Sequence, residues 1–237
     1  MKIETIEPYL PLLHLLEAGF AEALNSIFDA ADVDRMIRHA QEHFERIEAL
    51  IPDVDTTSPW LKNLLGISYE AGLWQELENR GLALSEISVI TQQVLREVSR
   101  RSFPQERIPE IRVLMCSETY VGRIAAQSQA KTDQEDWLFD CVRPNEGDAF
   151  DIGIDIRRCP VSVLCRRLGI ERYFPYFCIN DFITHGTLGI RLERTRTLAH
   201  GASSCDFRLT ADDTVCGEVI RRPELLPEFN HGISIEL

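Results

Sequence analysis

The spacing of apolar residues changes character part-way along the chain, and this change limits the fold more than any other feature. Up to about residue 126 the apolar positions recur every three or four residues; beyond residue 136 they alternate with polar ones. The first period belongs to an amphipathic helix, the second to a half-buried strand. Leu12, Leu13, Leu15, Leu16, Phe20, Leu24, Ile27 and Phe28 make the first helical stripe. Val33, Ile37, Phe44, Ile47 and Leu50 make a second, stopped by Pro52. A third is expected to start at Ser58-Pro59, a capping residue followed by the residue favoured in a first turn. It carries Trp60, Leu61, Leu64, Leu65, Ile67, Leu73, Trp74 and Leu77 and ends at Gly81. A fourth runs from Ser85, with Glu86 in its first turn, to Arg100-Arg101, charges that suit the helix dipole at each end. A fifth is expected over residues 108–126.

Residues 127–136 are polar and acidic and predict a linker. Residues 137–142 and 150–156 predict strands, and Asn145-Glu146-Gly147-Asp148 between them is turn chemistry, so an antiparallel hairpin is expected. A short helix over residues 160–168 should end at Gly169, and a second strand pair is expected at 188–198 and 205–209. The stretch from residue 211, with Pro223 and Pro227, has no clear period, and no repeat is visible. The expected class is α+β: a helical N-terminal half (1–130) packed on a smaller C-terminal antiparallel sheet with a short helix (131–237), as one compact unit.

With 44% hydrophobic residues the chain can fill a core. Its 25 basic and 38 acidic residues leave a net charge of −13, which argues against nucleic acid and anionic membrane surfaces as partners. The first apolar stretch, 9–24, is broken by Glu17 and Glu22 and lacks a basic flank, so no signal peptide is expected. No run approaches the roughly 18–20 apolar residues of a membrane helix. Seven cysteines, an odd number lying within residues 116–216, predict reduced thiols in a cytoplasm rather than a disulfide framework. The Trp- and Leu-rich third helix reads as core; a subunit interface is its other reading, so a homo-oligomer stays open.

Residues with chemical potential gather in 159–206. Cys159 directly precedes Pro160, which places it at a helix N-cap beside Arg157 and Arg158, where a thiol pKa falls. Its plainer reading is a small buried residue. Asp181 lies in the apolar stretch Phe174-Pro175-Tyr176-Phe177-Cys178-Ile179-Asn180-Asp181-Phe182 and needs either a partner or a task. His185 shares a face with it if the segment is helical. Arg194 and Arg196 alternate on an expected strand and would clamp a carboxylate; a solvated strand edge is the plainer account. Arg157-Arg158 and Arg166-Arg167 read as solvated flanks. Cys159, Cys178, Asp181 and Cys205 are the candidate ligands for zinc or another divalent metal, although separations of 19, 3 and 24 positions match no compact zinc module. Nucleotide-binding, zincin and esterase motifs are absent.

Asp136-Trp137, Phe150-Asp151-Ile152-Gly153-Ile154-Asp155, Cys159, Cys178 with Asp181, Arg194-Thr195-Arg196-Thr197-Leu198-Ala199 with Gly201, and Cys205-Asp206-Phe207 together resemble the L-2-amino-thiazoline-4-carboxylic acid hydrolase family. The resemblance implies hydrolytic opening of a small cyclic isothiourea or amidine at a C–N bond, giving S-carbamoyl-cysteine from the family's namesake substrate, within specialised metabolism. The chemistry of that reaction gives expected catalytic roles to Cys159, Cys178, Asp181, His185 and Cys205 and substrate contacts to Arg194, Arg196, Asp206 and His200, with His185 or His200 shuttling a proton. Asp181 would hold the amidinium while an activated thiolate, Cys159 before Cys178 or Cys205, or a metal-bound water, attacks the ring carbon. Two other functions compete: a non-catalytic small-ligand-binding or oligomeric module on the same scaffold, and a metal or redox enzyme using the cysteine cluster.

Overall fold

Eight helices and four strands form within residues 7–131 and 135–229, the part of the chain that the computed structural model describes. The helices are α1 (Leu10–Leu24), α2 (Ala30–Arg46), α3 (Leu61–Asn79), α4 (Leu84–Ser102), α5 (Ile108–Met115), α6 (Glu118–Ala130), α7 (Pro160–Leu168) and α8 (Phe174–Thr187). The strands are β1 (Leu138–Val142), β2 (Ile152–Arg158), β3 (Ile190–Glu193) and β4 (Cys205–Ala211). The architecture is α+β, as the change of period predicts.

Caps decide where several helices begin. The Asp29 carboxylate accepts from Asp32 N at 2.8 Å ahead of α2, and Glu86 reaches back to Ala83 N at 2.8 Å ahead of α4. The single helix expected over 108–126 is two helices, because Ser117 leaves helical geometry to cap α6 through Tyr120 N. The third helix starts at Leu61 rather than Ser58: Ser58 supplies its backbone carbonyl to Leu61 N at 3.2 Å instead of a side-chain cap. Beyond its end, Gly81 turns the chain with φ +92°. The first stripe also runs shorter than its apolar spacing, since α1 stops at Leu24 and Ile27 is 52% exposed.

Helix α6 continues to Ala130, so the expected linker is in part helical; residues 132–134 of it lie outside the described residues. Asp136 is fully folded in, accepting from Trp137 N at 2.7 Å, Asp55 N at 3.2 Å and Lys131 Nζ at 2.6 Å.

The sheet order is β1-β2-β4-β3, antiparallel throughout. Its buried face alternates as period 2 demands: Ile152, Ile154 and Ile156 stand beside Leu209, Phe207 and Cys205, and Ile190 and Leu192 extend the layer on β3. β3 ends at Glu193, short of the expected residue 198. Just beyond it, the backbone N–H groups of Thr195 and Arg196 go to the Asp206 carboxylate at 2.9 and 2.8 Å, which takes over from the ladder. Helix α6 covers β1, α8 covers β3, and α4 packs along α8. One hydrophobic cluster runs from Leu13 to Leu209. Trp74 joins three of its helices, donating to Thr91 on α4 at 3.0 Å with its ring 4.8 Å from Phe177 on α8. Among the described residues no helix is long and apolar enough to cross a membrane.

Candidate functional site

Strand register and one helix face bring distant residues together where β2, β4, α7 and α8 meet. Ile156 on β2 faces Cys205 on β4, and two residues beyond β2 the chain turns into α7 through Cys159. Cys159 has extended backbone with Pro160 behind it, the N-cap position expected. On α8, Cys178, Asp181 and His185 follow at spacings of three and four and so share a face. Arg194, just past β3, reaches into the same place. Cys159, Cys178, Cys205, Asp181 and Arg194 are near enough that ionising one of them would shift the ionisation of others in the group. Cys159, Cys178, Asp181 and His185 retain partial exposure, whereas Cys205 and Arg194 are buried.

Arg194 is the hub. Its side chain is 1% exposed; Nη1 donates to Asp181 Oδ2 at 3.0 Å, Nη2 to the Cys178 carbonyl at 3.1 Å, and Nη2 and Nε to Glu228 Oε1 at 2.7 and 3.2 Å. Phe182 and Phe207 both pack on its guanidinium, with ring centroids 4.9 and 5.0 Å away. The guanidinium expected to clamp a substrate carboxylate is thus already held by two acids of its own chain.

Arg194 and Arg196 do not share a face either. Once the strand has ended, Arg196 turns outward, half-exposed, 3.6 Å from Asp155. Asp206, expected as a substrate contact, braces the turn through both oxygens, which accept from Thr195 N, Arg196 N and Thr195 Oγ1.

Glu228 has no counterpart in the sequence reading. It sits in a 3-10 turn, Pro227–Phe229, in the stretch without period, and its only signal there is an acid between proline and an aromatic. It is fully buried, and Oε2 has no hydrogen-bond partner among the described residues. Phe229 beside it packs on His200, ring centroids 4.3 Å apart, while His200 Nδ1 lies 2.8 Å from Thr197 Oγ1.

Electrostatics at rest differ from the expectation of an activated thiolate. Burial pushes the Cys159 thiol up to about 12, outweighing the pull of the Val161 and Ser162 N–H groups at the start of α7. Burial likewise raises Cys205 to about 11 and Cys178 well above its usual value, although Arg194 pulls both down. Cys205 Sγ also accepts from Leu198 N at 3.2 Å. Burial raises the Asp181 carboxyl despite Arg194. It lowers His185 and His200, so both are neutral near pH 7. His185 Nδ1 lies 2.7 Å from the Asp181 carbonyl and must donate to it, which leaves Nε2 as the acceptor nitrogen.

The zinc alternative finds no ligand set, because among the described residues no three His, Cys, Asp or Glu side chains are arranged to hold a metal ion. Two cavities lie away from the cluster, one of about 530 Å³ between α4 and residues 218–221, the other of about 250 Å³ beside Lys131, Asp136 and Trp137.

Comparison with curated proteins and with solved structures finds no match. A protein-family model for L-2-amino-thiazoline-4-carboxylic acid hydrolase matches residues 89–209, which span α4 to β4 and hold every site residue named above except Glu228 and Phe229. The match covers half of the chain, and the chain belongs to the L-2-amino-thiazoline-4-carboxylic acid hydrolase family.

Proposed function

We propose that the chain is a hydrolase that opens a small cyclic amidine or isothiourea at a ring C–N bond, acting at the cluster around Asp181. The observation that carries this reading is the meeting of Cys159, Cys178 and Cys205 with Asp181 and Arg194, drawn from four separate elements. The two acids and one guanidinium carry an excess of one negative charge when ionised. Such a place favours a protonated amidine over a neutral ring. Asp181, 29% exposed on its side chain, accepts from the amidinium N–H groups and keeps the ring protonated.

The arriving cation lies beside Cys159 and favours its thiolate, offsetting the burial that keeps it protonated at rest. The thiol sulfur bonds to the carbon between sulfur and nitrogen, its proton passes to His185 Nε2, and the ring C–N bond breaks as His185 returns that proton to the leaving nitrogen. Water then adds to the same carbon, leaving a carbonyl there and Cys159 as a thiol. With Arg194 engaged, the half-exposed Arg196 takes the substrate carboxylate.

A second reading has water attack directly, with His185 as base. The raised thiols favour it, together with the neutral, tautomerically fixed imidazole. Turnover of L-2-amino-thiazoline-4-carboxylic acid, followed by chromatography of the ring-opened product, tests both. Asp181→Asn and His185→Gln should each lose about 100-fold or more in kcat while remaining folded. A comparable loss in Cys159→Ser supports covalent attack, and a near-normal rate supports direct hydration. Binding of this substrate without turnover would overturn the hydrolase reading.

A further inference from the structure

We infer that the cavity between α4 and residues 218–221 is a binding site for a compact polyanion, a small molecule carrying two or more oxyanion charges. Gln93, Arg96, Glu97 and Arg100 recur at spacings of three and four, so one exposed face of α4 forms the first wall. Glu218 and Arg221 come from the opposite wall, and the space between is about 530 Å³, the volume of a small-molecule site.

That second wall is fixed without any ligand. Gln92, buried beside the cavity face of α4, accepts from Ile220 N at 2.6 Å and donates to the Ile220 carbonyl at 3.1 Å. Three residues earlier, the backbone of Gly217 lies so close to Gly186 on α8 that a Cβ on Gly186 would meet it at 2.5 Å. The cavity is therefore held open by hydrogen bonds and backbone packing outside it.

Its charge is unusual for this chain. Arginines elsewhere mostly sit in ion pairs, such as Arg80 with Glu76, Arg172 with Glu78 and Arg208 with Asp155. Among the described residues Arg96, Arg100 and Arg221 form none, and all three line this one cavity. Arg96 meets only Cys216 Sγ, at 3.7 Å, and its Nε is buried without a partner. Of the two acids present, Glu97 is already paired with Arg101 at 2.8 Å, which leaves Glu218 against three guanidiniums. A local positive excess in a protein of net charge −13 calls for an anion with several acceptor oxygens. Glu218 suits a donor on the same ligand, a hydroxyl or an ammonium. None of the cavity's residues belongs to the cysteine cluster, so the site stands apart from the proposed hydrolysis.

The test is isothermal titration of the full chain with inorganic pyrophosphate and, separately, with citrate, at constant ionic strength. These two probes distinguish a phosphoryl from a carboxylate ligand. Saturable one-to-one binding of either is expected, weakened about tenfold or more in Arg96→Gln, Arg100→Gln and Arg221→Gln, since each removes a charged hydrogen-bond donor. Arg38→Gln, on α2 and far from the cavity in sequence, should bind like wild type, and thermal melts check that every variant is folded. Absence of saturable binding with both probes overturns the site. So does an equal affinity in folded Arg221→Gln and wild type, or weak multiple binding that all variants share and salt abolishes.

Discussion

Replacing Glu70 by glutamine should make the protein more stable, and increasingly so as the pH rises. Glu70 lies mid-way along α3, fully buried; among the described residues its side chain accepts one hydrogen bond, from Asn180 Nδ2 at 3.4 Å, and Asn180 Oδ1 has no partner. Desolvation dominates and raises its pKa from 4.5 to about 8. A carboxyl whose folded pKa lies above its unfolded value keeps a proton that the unfolded chain has already released. Stability is therefore lost as pH rises through that window. At about 1.4 kcal/mol per pH unit, the loss between about pH 5 and about pH 7.5 comes to about 3 kcal/mol. Glutamine has the same shape, carries no proton to lose and offers Asn180 both a donor and an acceptor. Urea unfolding of wild type and Glu70→Gln across this range isolates the effect, because every other titrating group cancels in the difference. The two proteins should agree near pH 5 and diverge by about 3 kcal/mol near pH 7.5. Stability curves that run parallel would refute the burial argument.

Arg194→Gln leaves the partly exposed Asp181 and the buried Glu228 without their cation and should cost about 3–5 kcal/mol in chemical denaturation, part of it recovered by adding Glu228→Gln. Gly186→Ala drives a methyl into the backbone of Gly217, so a loss of about 1–3 kcal/mol and faster proteolysis within residues 212–222 are expected. Under native conditions near neutral pH, iodoacetamide should label the exposed Cys216 well before Cys159, Cys178 or Cys205, whose thiols burial holds protonated; peptide mass spectrometry gives the order.

Local rules carried the short-range features. Pro160 and Gly169 bound α7 to the residue, and the alternation around Ile152, Ile154 and Ile156 marks β2. Where a cap competes with an apolar stripe the pattern misleads, as at Ser117, because periodicity does not register a single side chain satisfying a backbone N–H. The cluster of cysteines with Asp181 is visible as a set of residue types, but its electrostatics are not. A helix start lowers a thiol pKa only when water reaches it, and the packing that decides this comes from other elements. Arg194 shows the same limit: its second acid lies 34 positions away, in a stretch with no period to place it. Glu70 had one legible sign, a carboxylate between Tyr69 and Ala71 in a helix buried on nearly every side.

Every α-helix and β-strand among the described residues is complete by Ala211, yet the acid that neutralises Arg194 comes 17 residues later. A chain truncated after β4 would keep every α-helix and strand but lose the counter-ion beside Cys178, together with the contacts that Gly217 and Ile220 make on α8 and α4.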